Sequence, residues 1–251
     1  MAKGLPGADS SQPVTTAMIQ AATDLFGQKP SFWGRYFTGP ATGGSVEYHH
    51  ANESPVLAEA GIRLLPVARQ TAHVAGTEAE GTADAQANVS DFFATFPQTL
   101  LVSQGGQFLM FLDVEGLPQA GSPSLSLDYY TGWAQTLTNY SRNQSDNTVT
   151  ILPCIYARQG DNVTWDVLAT ANIYGIPCSG AWVARYYNPS CELNDWNGEV
   201  AIPSVTLPCD VLIWQYAANC CNGTIDSNQT NPNIDIQAGL LSKLVLPSSG
   251  S

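Results

Sequence analysis

The chain has 251 residues, with nine Lys and Arg against 21 Asp and Glu, giving a formal net charge of −12. That acidity opposes binding to phosphate backbones and anionic lipid, while 44% hydrophobic and 12% charged residues describe a folded interior rather than a disordered chain. The length suits one α/β domain over residues 1–247, followed by a Ser- and Gly-rich tail at 248–251 expected to be mobile.

Taken in order, short apolar or aromatic runs predict strands at 7–9, 33–37, 62–68, 108–114, 150–156, 181–186, a weak one at 200–202, and 211–216. Helical patterns fall between them at 16–26, 54–60, 77–96, 127–142 and 161–173. The segment beginning at Thr77 carries Glu80 three residues on, a capping box. Gly39, Gly61 and Gly175 stand where turns need positive φ, and Gly43-Gly44 and Gly105-Gly106 read as turns. Eight strands alternating with helices predict a single (β/α)8-type, TIM-like barrel. Residues 188–208 and 217–233, rich in Asn, Pro, Cys and Gly, predict long loops near the late strands.

Six cysteines, Cys154, Cys178, Cys191, Cys209, Cys220 and Cys221, lie in the C-terminal two-fifths without the paired spacing of a zinc site. Stapling of the late loops is their preferred role, with core-filling free thiols as the alternative. Vicinal Cys220 and Cys221 suit separate partners better than each other. Sequons at Asn88, Asn139, Asn143, Asn162, Asn222 and Asn228 and the scarcity of Lys lean towards an oxidising destination. No run reaches the length of a membrane span, and residues 1–7 lack the apolar core of a signal peptide. The expectation is a protein secreted or exported to a cell wall without a recognisable leader, and not inserted in a membrane.

The segment from Phe108 to Gly116 is the most informative, because its apolar run ends in Asp113 and Glu115. Alternate residues of a strand share a face about 6.5 Å apart. Crowded carboxylates repel, so one keeps its proton while the other stays ionised, the pairing that glycosidic cleavage requires. The plainer reading makes Asp113 a helix cap and Glu115 a solvated loop acid. Barrel active sites form at the C-terminal strand ends, which here carry Asp9, Arg35 and Tyr36, Asp113 and Glu115, Tyr156, Arg185 and Tyr186, and Gln215 and Tyr216. Such acids and amides bond sugar hydroxyls, and rings such as those of Trp33, Trp182 and Trp214 stack on pyranose faces. Asp9 also reads as a turn former, Arg35 as the partner of a buried acid, and at least one of Trp182 and Trp214 as core. His49, His50 and His73 have no nucleophile-elbow Ser or Cys to serve, and although His49 with His50 and Glu53 offers metal-ligand types, the adjacent loop histidines read as solvated. No phosphate-cradling glycine motif is present, and neither a metal nor a cofactor is expected.

The ordered series Gly7-x-Asp9, Phe111-Leu112-Asp113-Val114-Glu115, Tyr130-x-x-Trp133, Tyr156-Ala157, Trp182-x-Ala184-x-Tyr186, Ile213-Trp214-Gln215-Tyr216 and Ile225-Asp226-x-Asn228 resembles the family 25 glycoside hydrolases, lysozyme-like muramidases on a modified barrel. Trp33-Gly34-Arg35-Tyr36 and the run from Ala60 to Pro66 look closer still to a sister group, the bacterial glycoside-hydrolase-like domain of undefined activity. The resemblance implies Glu115 as general acid and Asp113 as the group that raises its pKa and steadies the cationic transition state. It implies Asp9 and Asp226 as residues orienting substrate or water, with Asp235 a rival for Asp226. Substrate contacts would come from Arg35, Tyr156, Trp182, Tyr186, Trp214, Gln215 and Tyr216. Two functions stay open: hydrolysis of β-1,4 links in peptidoglycan or a similar amino-sugar polymer, and a non-catalytic carbohydrate-binding or structural barrel. The partner in either case is a polysaccharide.

Overall fold

The computed structural model describes residues 2–37, 47–116, 122–187 and 190–248. Gly39, Gly43, Gly44 and tail residues 249–251, given roles above, lie outside them. Eight strands close into a barrel in chain order: β1 Pro6–Asp9, β2 Phe32–Tyr36, β3 Arg63–Ala68, β4 Gln107–Val114, β5 Thr150–Arg158, β6 Ala181–Ala184, β7 Val211–Asn219 and β8 Ile225–Thr230. Neighbours from β1 to β7 pair in parallel, whereas β8 runs antiparallel to both β7 and β1. The predicted TIM-like α/β barrel is therefore present, with one reversed strand.

That strand corrects the sequence reading. The predicted strand at 200–202 falls on a helical turn, Gly198–Ala201, begun by the Asn197 side chain accepting from Glu199 N at 3.1 Å. The eighth strand is instead the polar run Ile-Asp-Ser-Asn-Gln-Thr within the predicted loop at 217–233. Its inward residues are Asp226 and Asn228, so it lacks the apolar alternation by which strands are recognised.

Alternation elsewhere sorts the core into two layers. Phe32, Leu65, Leu109, Phe111, Cys154 and Ile213 point into the barrel, and Trp33, Leu64, Phe108, Met110, Leu112 and Val183 point out to the helices. Those helices are α1 Thr16–Phe26, α2 His50–Ala60, α3 Glu78–Thr95, α4 Gln98–Ser103, α5 Leu127–Gln144 and α6 Asn162–Ile173. The capping box at Thr77 and Glu80 forms as expected. Helix α2 begins at His50 rather than at residue 54, because Glu53 Oε1 accepts the His49 N–H at 2.8 Å and His50 Nδ1 bonds Ser54 Oγ at 2.7 Å.

Helices α3 and α5 cross in unusually close contact. A Cβ at Gly81 would lie 2.1 Å from Tyr129 O, and one at Gly132 would lie 2.0 Å from Glu78 O, so only glycine fits either position. Asn88 on α3 fixes the crossing, accepting from Trp133 Nε1 at 3.0 Å and donating to Phe37 O at 2.8 Å. Its burial removes Asn88 from the set of usable glycosylation sequons, as burial does for Asn228.

Cys191 and Cys220 form a disulfide that ties the long loop after β6 to the β7–β8 turn. Stapling is thus one role of the cysteines, and Cys154, buried inside the barrel, fills core.

Candidate functional site

The inward-facing residues at the C-terminal strand ends enclose a cavity of about 270 Å³. Asp9 comes from β1, Gly34 and Tyr36 from β2, Asp113 and Glu115 from β4 and just past it, Tyr156 and Arg158 from β5, Trp182 from β6 and Gln215 from β7. Because β8 is reversed, its beginning rather than its end reaches this mouth and contributes Asp226. Gly34 forms part of the wall, where an added Cβ would lie 2.8 Å from the Asp9 Cβ and 3.2 Å from the Trp182 ring.

One side of the cavity is a bonded network centred on Gln215. Its Oε1 accepts from the hydroxyls of Tyr156 at 2.6 Å and Tyr186 at 3.4 Å, which fixes the amide orientation. Its Nε2 then faces two carboxylates, donating to Asp9 Oδ2 at 3.2 Å and Asp226 Oδ2 at 2.9 Å. Asn228 donates to Asp9 Oδ2 at 2.7 Å while its own oxygen accepts from Trp182 Nε1 at 2.9 Å. Asp226 Oδ1 takes the backbone N–H of Asn219 at 2.7 Å. Burial pushes the Asp9 carboxyl well above the usual carboxylate range, and the charge of Asp226 adds to this; burial likewise raises Asp226.

The other side holds the acid pair. Asp113 is 2% exposed, and its Oδ1 has no hydrogen-bond partner among the described residues. Burial first, and the charge of Glu115 second, push its pKa up to about 8. The Glu115 side chain is 35% exposed and ion-paired with Arg158, whose Nη2 lies 3.3 Å from Oε2 and whose Nε donates to Glu115 O at 3.0 Å. A buried acid that burial keeps protonated at neutral pH thus stands two residues before an acid whose side chain reaches solvent.

Of the residues singled out from sequence, Asp9, Asp113, Glu115, Asp226, Tyr156, Trp182, Tyr186 and Gln215 come together here. Trp214 and Tyr216 do not. They flank Gln215 on β7 and so face the outer layer, where Trp214 Nε1 donates to Arg185 O and its ring packs edge-on against Trp196. Arg35 reaches the lining but is committed to Glu53, with Nε–Oε2 2.7 Å and both side chains fully buried, and to Ser10 O. That ion pair also takes Glu53 away from any metal role with His49 and His50. Asp235 is exposed and caps the turn Ile236–Gly239, away from the cavity. Arg158 and Asn219 were not anticipated. Arg158 keeps the inward phase of Cys154 and Tyr156 and was missed because the strand runs two residues further than predicted.

No family model matches the chain, and no curated protein matches it. Among solved structures it is similar to an uncharacterized B. stearothermophilus protein, with a TM-score of 0.67 and 20% identity over 96% of this chain and 100% of that one. A muramidase from Trichobolus zukalii aligns with a TM-score of 0.48 and 17% identity over 95% of this chain and 99% of that one. The first likeness supports the barrel fold over the whole length.

Proposed function

We propose that the protein is a glycoside hydrolase acting on β-1,4 links of peptidoglycan or a related amino-sugar polymer. The observation that carries this is the convergence of four carboxyl groups, Asp9, Asp113, Glu115 and Asp226, with Tyr156, Trp182 and Tyr186 on one cavity at the barrel mouth. The ordered resemblance to the family 25 muramidases supports the amino-sugar substrate, and the Cys191–Cys220 disulfide supports an exported protein that meets a cell wall.

In this reading Glu115 protonates the leaving oxygen, since it is the acid of the pair that reaches solvent and can meet a glycosidic bond. The proton it delivers is supplied by Asp113, which burial keeps protonated. Giving up that proton leaves the negative charge on Asp113. That charge then lies beside the developing oxocarbenium ion. Asp9 and Asp226, oriented by Gln215 and Asn228, bind hydroxyls or the attacking water, and Trp182 and Tyr186 line the sugar face. Release of new reducing ends from a cell-wall suspension, with loss of turbidity, is the test. Binding of the polymer without release would make the same acids ligands for hydroxyls and the barrel a recognition module.

A further inference from the structure

Beside the acid cavity, and sharing Arg158 and Tyr186 with it, lies a second open cleft of about 570 Å³. Two features set it apart. Among the large apolar side chains exposed on the described surface, three line this cleft: Val163 at 60%, Tyr186 at 46% and Tyr187 at 64%. Exposed rings in a concave site beside a polar cavity suit stacking against sugar faces.

The second feature is charge. In a chain with only nine basic residues against 21 acidic ones, Arg158 and Arg185 both stand at this cleft, at the ends of the adjacent strands β5 and β6. Arg158 is engaged by Glu115. The Arg185 side chain is exposed and makes no hydrogen bond or ion pair among the described residues. Nor does the acid of the cleft offset it: Asp161 accepts from Ser124 Oγ and Thr164 N through Oδ1 and from Thr164 Oγ1 through Oδ2, serving as the cap of α6. The cleft therefore offers one unspent guanidinium between exposed rings, contiguous with the acids.

Building on the glycosidase reading, we infer that this cleft is a neighbouring saccharide subsite, in which Arg185 pairs with a carboxylate carried by the sugar unit next to the one being cut, while Tyr186 and Tyr187 stack on the chain. The chemistry recognised is a carboxylate on an amino-sugar polymer. It has two sources, a lactyl ether on the amino sugar or an alternating uronate.

Calorimetric binding to the uncut Glu115→Gln protein tests this separately from hydrolysis. Three tetrasaccharides serve as probes: neutral chitotetraose, one alternating N-acetylglucosamine with N-acetylmuramic acid, and one alternating N-acetylglucosamine with glucuronate. At least one carboxylated probe should bind about fivefold tighter than the neutral one, and added Arg185→Gln should erase that margin while leaving chitotetraose affinity unchanged, in line with about 1 kcal/mol for an exposed ion pair. The preferred carboxylated probe identifies the source. Tyr187→Ala should weaken all probes that bind. Equal affinity for neutral and carboxylated probes, or equal loss for both on Arg185→Gln, would overturn the inference. A carboxylate preference without any hydrolysis by wild type would leave the subsite standing and remove the glycosidase reading.

Discussion

Asp9 and Asp226 face each other as paired residues of the antiparallel strands β1 and β8, and the single amide nitrogen of Gln215 donates to both. Two acids in one buried site repel unless donors sit between them. The amide is uncharged and has its oxygen occupied by Tyr156 and Tyr186, so it presents only N–H to the carboxylates. Replacing Gln215 by Glu would set a third acid between them. Gln215→Glu should lower the melting temperature at pH 7 by several degrees and recover much of the loss near pH 4, where the acids are protonated. An equal loss at both pH values would show that packing, not charge, is what Gln215 supplies.

Asp113 gives a second pH-dependent expectation. Its folded pKa of about 8 lies above the unfolded value of 3.8, so the folded state binds more protons between those values and stability falls as pH rises through that window. Asp113→Asn, neutral at all pH, escapes this loss. The variant should match wild type near pH 4 and melt several degrees higher at pH 8 to 9, while losing activity. A variant no more stable than wild type at pH 9 would mean that Asp113 is not held neutral by burial.

The glycine crossing of α3 and α5 has its own test. Gly81→Ala and Gly132→Ala should each destabilise the fold by about 1–3 kcal/mol, because the new methyl group meets backbone oxygen. Denaturant melts measure this, and an unchanged midpoint would contradict the close approach.

The cysteines make a countable prediction. Unfolded without reductant, the protein should alkylate at Cys154, Cys178, Cys209 and Cys221 but not at Cys191 or Cys220. Cys178 Sγ and Cys209 Sγ are 3.2 Å apart, so a disulfide oxidant should close that pair and leave Cys154 and Cys221 as the alkylated residues. Alkylation at all six before reduction would exclude the Cys191–Cys220 bridge.

The sequence made the parallel part of the barrel legible because its strands bury apolar residues on both faces, as β4 does from Phe108 to Leu112. Asp9, Asp113 and Glu115 were legible as strand-end acids for the same reason. β8 was not, since a strand whose inner face is Asp226 and Asn228 carries no apolar period and reads as loop. Trp214 and Tyr216 misled because proximity to Gln215 in sequence says nothing of face, and a period of two turns them outward. Arg158, two residues beyond the predicted strand end, needed the observed length of β5.

The central claim is that Glu115 delivers the proton that breaks a glycosidic bond. Reducing-end release from an amino-sugar cell-wall polymer, compared between wild type and Glu115→Gln across pH, tests it most directly. Wild type should fall in rate as pH rises through about 8, where Asp113 loses its proton, and Glu115→Gln should be slower by about 10² or more with an unchanged melting temperature. A Glu115→Gln protein that releases reducing ends as fast as wild type would contradict the account.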